Sequence, residues 1–142
     1  MQVRVLLVDD EKEFVETLGE RLETRGFKVR TALSGDEALA KLREGESDVV
    51  LLDVLMPGKD GIQILKEIKQ INPLVEVMML TGHATIDTAI EGLKIGAFDY
   101  LKKPEETKEL IDKILRAFAR KSEHEERIRR AQMDKIVATR GW

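Results

Sequence analysis

The stretch VRVLLVDDEKEFVETLGERLETRG, residues 3–26, holds one complete unit of the fold. Val3 to Val8 is a continuous apolar run broken only by Arg4, which reads as a strand buried on both faces, and it stops at two acids, Asp9 and Asp10. From Glu11 to Arg25 the apolar residues Phe14, Val15, Leu18 and Leu22 recur at helical spacing, and Gly26 ends the helix. A buried strand followed by an amphipathic helix is half of a βαβ crossover.

Four more such units follow. Phe27 to Ala32 alternates like a strand, and Ser34 with Glu37 forms a capping box before a helix carrying Ala38, Leu39 and Leu42. Asp48 to Asp53 is a fully buried strand pattern; Pro57, Gly58 and Gly61 mark a loop, and Ile62, Ile64, Leu65 and Ile68 give the next helix a core face. Val75 to Leu80 is a strand, Ala84 to Ile95 a helix closed by Gly96, Phe98 to Leu101 a short strand, and Glu105 begins the final helix. Crossovers of this length are right-handed, so the expected fold is α/β: a doubly wound five-stranded parallel sheet with helices on both faces.

Composition bounds the function. With 142 residues, 42% hydrophobic and 36% charged, the chain suits one globular domain with its own core. The absence of Cys excludes disulfides, thiolate metal sites and cysteine nucleophiles, and fits a reducing compartment. No apolar run approaches the ~20 residues that cross a bilayer, so no membrane role is expected and a cytoplasmic location is. The net charge of −3 conceals a polarity, because the segment from Arg116 onward carries eight Lys/Arg against four Asp/Glu, leaving 16 basic and 23 acidic residues before it.

A parallel sheet gathers the C-terminal ends of its strands along one edge, where distant residues meet. The residues at those ends here are Asp9 and Asp10, Asp53, Thr81 and Lys103. Three close carboxylates repel one another unless a cation compensates, and hard oxygen ligands without His or Cys select Mg2+ or Mn2+ over zinc. A carboxylate beside such an ion, with a lysine and a hydroxyl to meet phosphoryl oxygens, is equipped to attack phosphorus and hold an acyl phosphate. Acids at strand ends also cap helices, which would account for Asp9 or Asp53 singly but not for the whole set.

These residues carry a family resemblance. VLLVDD at Val5 to Asp10, VVLLDVLMPGKDG at Val49 to Gly61, MLTGH at Met79 to His83 and GAFDYLKKP at Gly96 to Pro104 together resemble a bacterial two-component response-regulator receiver domain, the CheY-like (βα)5 flavodoxin-like fold, of the kind found at the N-terminus of NtrC-type transcription activators. The resemblance implies that Asp53 is the phosphoacceptor for a sensor histidine kinase. It implies that Asp10 and Asp53, with the backbone carbonyl of Leu55, ligate Mg2+, and that Asp9 acts through a bound water. Lys103 would bind a phosphoryl oxygen, and Thr81 with Tyr100 would be the switch pair. Lys102 is set aside because strand alternation turns it from its neighbour's face. His83 is expected to tune water access, and His124 to lie at the surface.

The expected domain division is a receiver over residues 1–120 and a helical extension or linker over 121–142. Pairs at i, i+4 with the acid first, Glu123 with Arg127, Glu125 with Arg129 and Glu126 with Arg130, favour continued helix. Lys121 and His124 interrupt any heptad, which points to a solvated helix. Interleaved acids and the lack of a second reading helix argue against direct nucleic-acid binding. A homodimer through the fourth helix, fifth strand and fifth helix is expected, with lysines such as Lys113 meeting Asp99 of the other copy, and a downstream output domain or protein as target. A Mg2+-dependent phosphohydrolase is the competing class, but Val54 and Leu55 follow Asp53 where such an enzyme needs a second acid, and 142 residues leave no room for its cap, so turnover of external substrates is not expected. An interaction module without phosphorylation would have no use for the complete acid set. The chain is thus expected to be a phosphoacceptor signalling domain and not an enzyme acting on external substrates.

Overall fold

A computed structural model describes residues 2–56, 60–82, 86–103 and 107–140, without the side chains of Thr81 and Arg140. In chain order the elements are β1 (Arg4–Val8), α1 (Lys12–Thr24), β2 (Lys28–Ala32), α2 (Gly35–Glu44), β3 (Val49–Leu52), α3 (Gly61–Ile71), β4 (Glu76–Thr81), α4 (Ile86–Ile95), β5 (Asp99–Lys102) and α5 (Thr107–Arg140). All strand pairs are parallel, in the order β2-β1-β3-β4-β5. The order reverses direction at β1, so the ends of β1 and β3 flank the switch point where such sheets open a crevice.

The alternation of side chains along the strands divides the core into two layers. Leu6, Val8, Val50, Leu52, Val77 and Met79 face α2 and α3, while Val5, Leu7, Val49, Leu51, Met78 and Leu80 face α1 and α5. All five methionines read as packing from the sequence; Met56, Met78 and Met79 are buried, whereas Met133, on the last turns of α5, is exposed, and Met1 lies outside the described residues. The expected cap also forms: Ser34 Oγ accepts from the Glu37 N–H at 3.1 Å. The reciprocal bond differs by one residue, since Glu37 Oε2 accepts from the Leu33 N–H rather than that of Ser34. Strand starts lie one residue inside the apolar runs at Val3, Phe27, Val75 and Phe98; these flanking residues still pack on the core, and Val3 O accepts from the Lys28 N–H while the Phe98 N–H donates to Val77 O.

At Gly26 and Gly61 the geometry requires glycine. Gly26 has φ +92°, the left-handed conformation that closes α1. At Gly61 a Cβ would lie 2.3 Å from Val54 Cα and 2.4 Å from Val54 O, so α3 begins directly against the backbone that follows Asp53. Gly61→Ala is therefore expected to destabilise the domain by ~1–3 kcal/mol, the usual range for overpacking, read as a lower urea midpoint.

The final helix is one continuous element that remains anchored past Arg120. Two acids at the N-terminal edge of the sheet hold its root: Asp48, just before β3, pairs with Lys121 at 3.1 Å, and Glu76, first in β4, lies 3.5 Å from Arg120. Lys121, expected on a solvated face, is 6% exposed, because the buried Asp48 draws its ammonium in. That changes the pairing beyond it. Glu125 pairs with Lys121 at 3.2 Å instead of with Arg129, Arg129 contacts Glu126, and the expected Glu126–Arg130 pair forms at 3.3 Å. His124 is half-buried rather than at the surface, and its charge bears on Glu76.

Glu76 is less well served. It is buried, and no hydrogen bond reaches its Oε2 among the described residues. Burial raises its pKa, and Arg120, Lys69 and His124 offset this only in part. An acid whose pKa is raised by folding destabilises the folded state progressively as pH climbs past the ordinary value of 4.5. Glu76→Gln is thus expected to raise the urea midpoint at neutral pH, with the two proteins converging below that ordinary value.

Candidate functional site

The strand-end residues do meet. Asp9 leaves β1 buried at 3% exposure, its Oδ1 accepting from the Glu11 N–H at 2.9 Å and so fixing the turn into α1. Asp10, next in the chain, is exposed. Asp53 leaves β3 at 6% exposure; its N–H donates to Val8 O at 2.9 Å, and its Oδ1 accepts from the Leu55 N–H at 2.8 Å. Carboxylate oxygens of Asp9, Asp10 and Asp53 lie within 4.8 Å of one another. Leu55, half-exposed, lines the same open cavity of about 430 Å3 as Asp10, Asp53, Gly82 and Lys103.

Lys103 follows β5 and brings its ammonium to the acids that follow both β1 and β3. Its Nζ contacts Asp9 Oδ2, lies 3.2 Å from Glu11 Oε1 and 3.5 Å from Asp53 Oδ2, and its side chain is 12% exposed. Lys102 is exposed at the end of β5, as the alternation predicts. Thr81 ends β4, its backbone paired with Lys102; its side chain lies outside the described residues, as do Pro57, Gly58, His83 and Pro104. Tyr100 sits opposite Met79 in β5, half-buried against the α2–α3 layer. The supposed intermolecular partners Lys113 and Asp99 are paired within the chain at 3.3 Å, because α5 lays Lys113 alongside the start of β5.

The electrostatics define what the cavity lacks. Burial raises the pKa of Asp9 in spite of Lys103 and the Glu11 N–H, and the charge of Asp53 raises it further. Burial would depress Lys103, but Asp9, Asp53 and Glu11 outweigh it and hold the ammonium above its ordinary range. Lys103 therefore does not return what Asp9 loses on burial beside Asp53. An oxygen-only donor set short of positive charge fits a hard divalent cation.

Two contacts escaped the sequence reading. Glu11 extends the acid run by one and takes a share of Lys103, which the three consecutive acids Asp9, Asp10 and Glu11 signal in retrospect. Phe14, read only as a helix core residue, places its ring under the Lys103 ammonium, 4.2 Å from Nζ to the ring centroid. Nothing in its spacing announces that contact.

Residues 5–115 match the model of the response regulator receiver domain. The chain is 41% identical over 118 residues to the transcriptional regulatory protein ZraR of Salmonella typhimurium, covering 83% of this chain and 27% of that protein. It is 37% identical over 122 residues to the DNA-binding transcriptional regulator NtrC of the same organism, covering 86% of this chain and 26% of the other. It thus spans about a quarter of the length of these relatives. Among solved structures, a CheY-like response regulator receiver domain protein from Methanospirillum hungatei superposes with a TM-score of 0.83 at 27% identity, covering 87% of this chain and 99% of that one. The chain belongs to the response regulator receiver family, whose members are phosphoacceptor signalling domains in two-component systems.

Proposed function

We propose that this receiver accepts a phosphoryl group on Asp53 from the phosphohistidine of a sensor histidine kinase, and that the resulting acyl phosphate switches a protein-interaction surface. The observation that carries the reading is the clustering of Asp9, Asp10 and Asp53 at the C-terminal edge of the sheet, with Asp9 and Asp53 both reached by Lys103. A carboxylate oxygen of Asp53 attacks phosphorus, the phosphorus–nitrogen bond breaks, and the donor imidazole leaves with its electron pair and takes up a proton. Lys103 holds one phosphoryl oxygen by a charge-assisted hydrogen bond, and the Thr81 hydroxyl donates to another.

Asp10, Asp53 and the Leu55 carbonyl are the proposed ligands of Mg2+, with Asp9 acting through water; Mn2+ suits the same oxygens. Once bound, the ion neutralises charge that builds on the phosphoryl oxygens. Thr81 and Tyr100 are the proposed switch pair, biasing a pre-existing equilibrium between two surfaces of α4, β5 and α5. On that face Ile86, Ile90 and Leu93 of α4 are exposed, as a homodimer or target contact there requires.

Residues 1–120 act as the receiver and 121–142 as a connecting extension rooted at Lys121, leading to an output domain or protein as in the transcription regulators the chain resembles. No helix among the described residues is long and apolar enough to cross a membrane, which suits a cytoplasmic role. Direct binding of nucleic acid by this chain is not part of the reading. The test is intact mass after incubation with acetyl phosphate, with and without Mg2+, then peptide mapping after borohydride trapping. One added phosphoryl group, dependent on Mg2+ and mapped to Asp53, is expected; label elsewhere, or none, overturns the reading.

A further inference from the structure

We propose that Phe14 is a positioning residue for phosphoryl transfer, its ring face fixing the Lys103 ammonium beside Asp53. The inference rests on the reading of Asp53 as the phosphoacceptor. Lys103 has a flexible four-carbon stem and three acids that pull its Nζ in different directions: Asp9 and Asp53 inward, and Glu11, whose side chain is 65% exposed, outward. Ion pairing alone does not choose among them, since the exposed Glu11 lets the ammonium keep its water.

The ring adds a fixed contact that the three acids do not supply. The negative face of a phenyl group attracts an ammonium within ~6 Å of its centroid, most strongly where water is scarce, and Nζ sits 4.2 Å above Phe14. Phe14 is in turn held: it lies in the first turn of α1, half-buried against the α1–α5 core layer. It also forms a partition. Phe14 and Lys103 both line the acid cavity and a neighbouring apolar groove of about 200 Å3 between α1 and α5, floored by Leu80 and walled by Leu18 and Leu110. An aliphatic residue at 14 would fill the groove equally well but would present the ammonium with an apolar wall and no compensating charge. Lys103 would then favour Glu11 and solvent over Asp53.

The test separates the ring face from mere volume by comparing wild type, Phe14→Leu and Phe14→Tyr, each with Mg2+ present. Protons above an aromatic face are shielded, so the Lys103 ε-methylene protons, assigned by their loss in Lys103→Arg, should resonate upfield in wild type and Phe14→Tyr and at ordinary positions in Phe14→Leu. Labelling of Asp53 by acetyl phosphate should slow roughly two- to fivefold in Phe14→Leu and return to near the wild-type rate in Phe14→Tyr. Unshifted Lys103 protons in wild type, or equal slowing in both variants, overturns the proposal. The proton shifts are recorded without phosphodonor, so they decide the Phe14 contact even if wild type fails to label at Asp53, a result that would remove the function reading instead.

Discussion

Asp53→Asn will take up no phosphoryl group from acetyl phosphate, a loss of roughly a thousandfold or more, because no neighbouring group replaces a deleted nucleophile. Asn keeps the shape of the carboxyl and can still accept from the Leu55 N–H, so the loop after β3 retains its hydrogen bond and the fold its stability. What disappears is the anionic oxygen beside Lys103, 3.5 Å from Nζ in the wild type. Intact mass alongside urea denaturation checks both halves: an unmodified, normally stable variant supports Asp53, whereas undiminished label would move the phosphoacceptor to another acid. Asp10→Asn is expected to keep the acceptor but weaken Mg2+ binding, since it removes a direct anionic donor from a site that retains several waters.

Asp48→Asn should give the largest loss of stability, ~3–5 kcal/mol, the range for breaking a buried ion pair from one side. Asp48 accepts from the Arg4 backbone N–H at 2.8 Å and from its guanidinium at 3.1 and 3.2 Å, and it also takes the buried Lys121 ammonium. Burial would raise the Asp48 pKa, but its bonds to Arg4 and Lys121 outweigh that and hold it below the ordinary 3.8. An acid with a folded pKa lowered in this way stabilises the protein above its unfolded value, and the contribution fades as pH falls through the folded one. The gap between wild type and Asp48→Asn should therefore be full at neutral pH and close in strong acid. Adding Lys121→Met should recover much of the loss at neutral pH, because the buried ammonium is removed with its partner, while the partly exposed Arg4 keeps Glu46 and water. Hydrogen exchange over residues 121–140 should quicken in the single variant, since its root contact is the one that is cut; unchanged exchange there would mean the helix holds itself.

These two expected results draw on different kinds of information. The strands and helices were legible because burial imposes local periods: the run Val3 to Val8 and the spacing Phe14, Leu18, Leu22 need only their neighbours to be read. Five repeats of that pattern dictated a doubly wound parallel sheet, and the sheet dictated that Asp9, Asp10, Asp53 and Lys103 share an edge. Which of those side chains touch was another matter. Lys103 and Asp9 are 94 residues apart, and Lys121 and Asp48 are 73 apart. Such contacts depend on strand order, register and the path of α5 over the sheet, none of which is encoded in a local period. Lys121 reads as one more charge on a polar helix, and Phe14 as one more apolar residue facing the core. Local pattern was enough for the elements, their order and the chemical kinds gathered at one edge. That Lys121 is drawn inside by a buried carboxylate, and that Phe14 turns its ring to a lysine, is visible only once the chain is packed, because both depend on what lies across the interface.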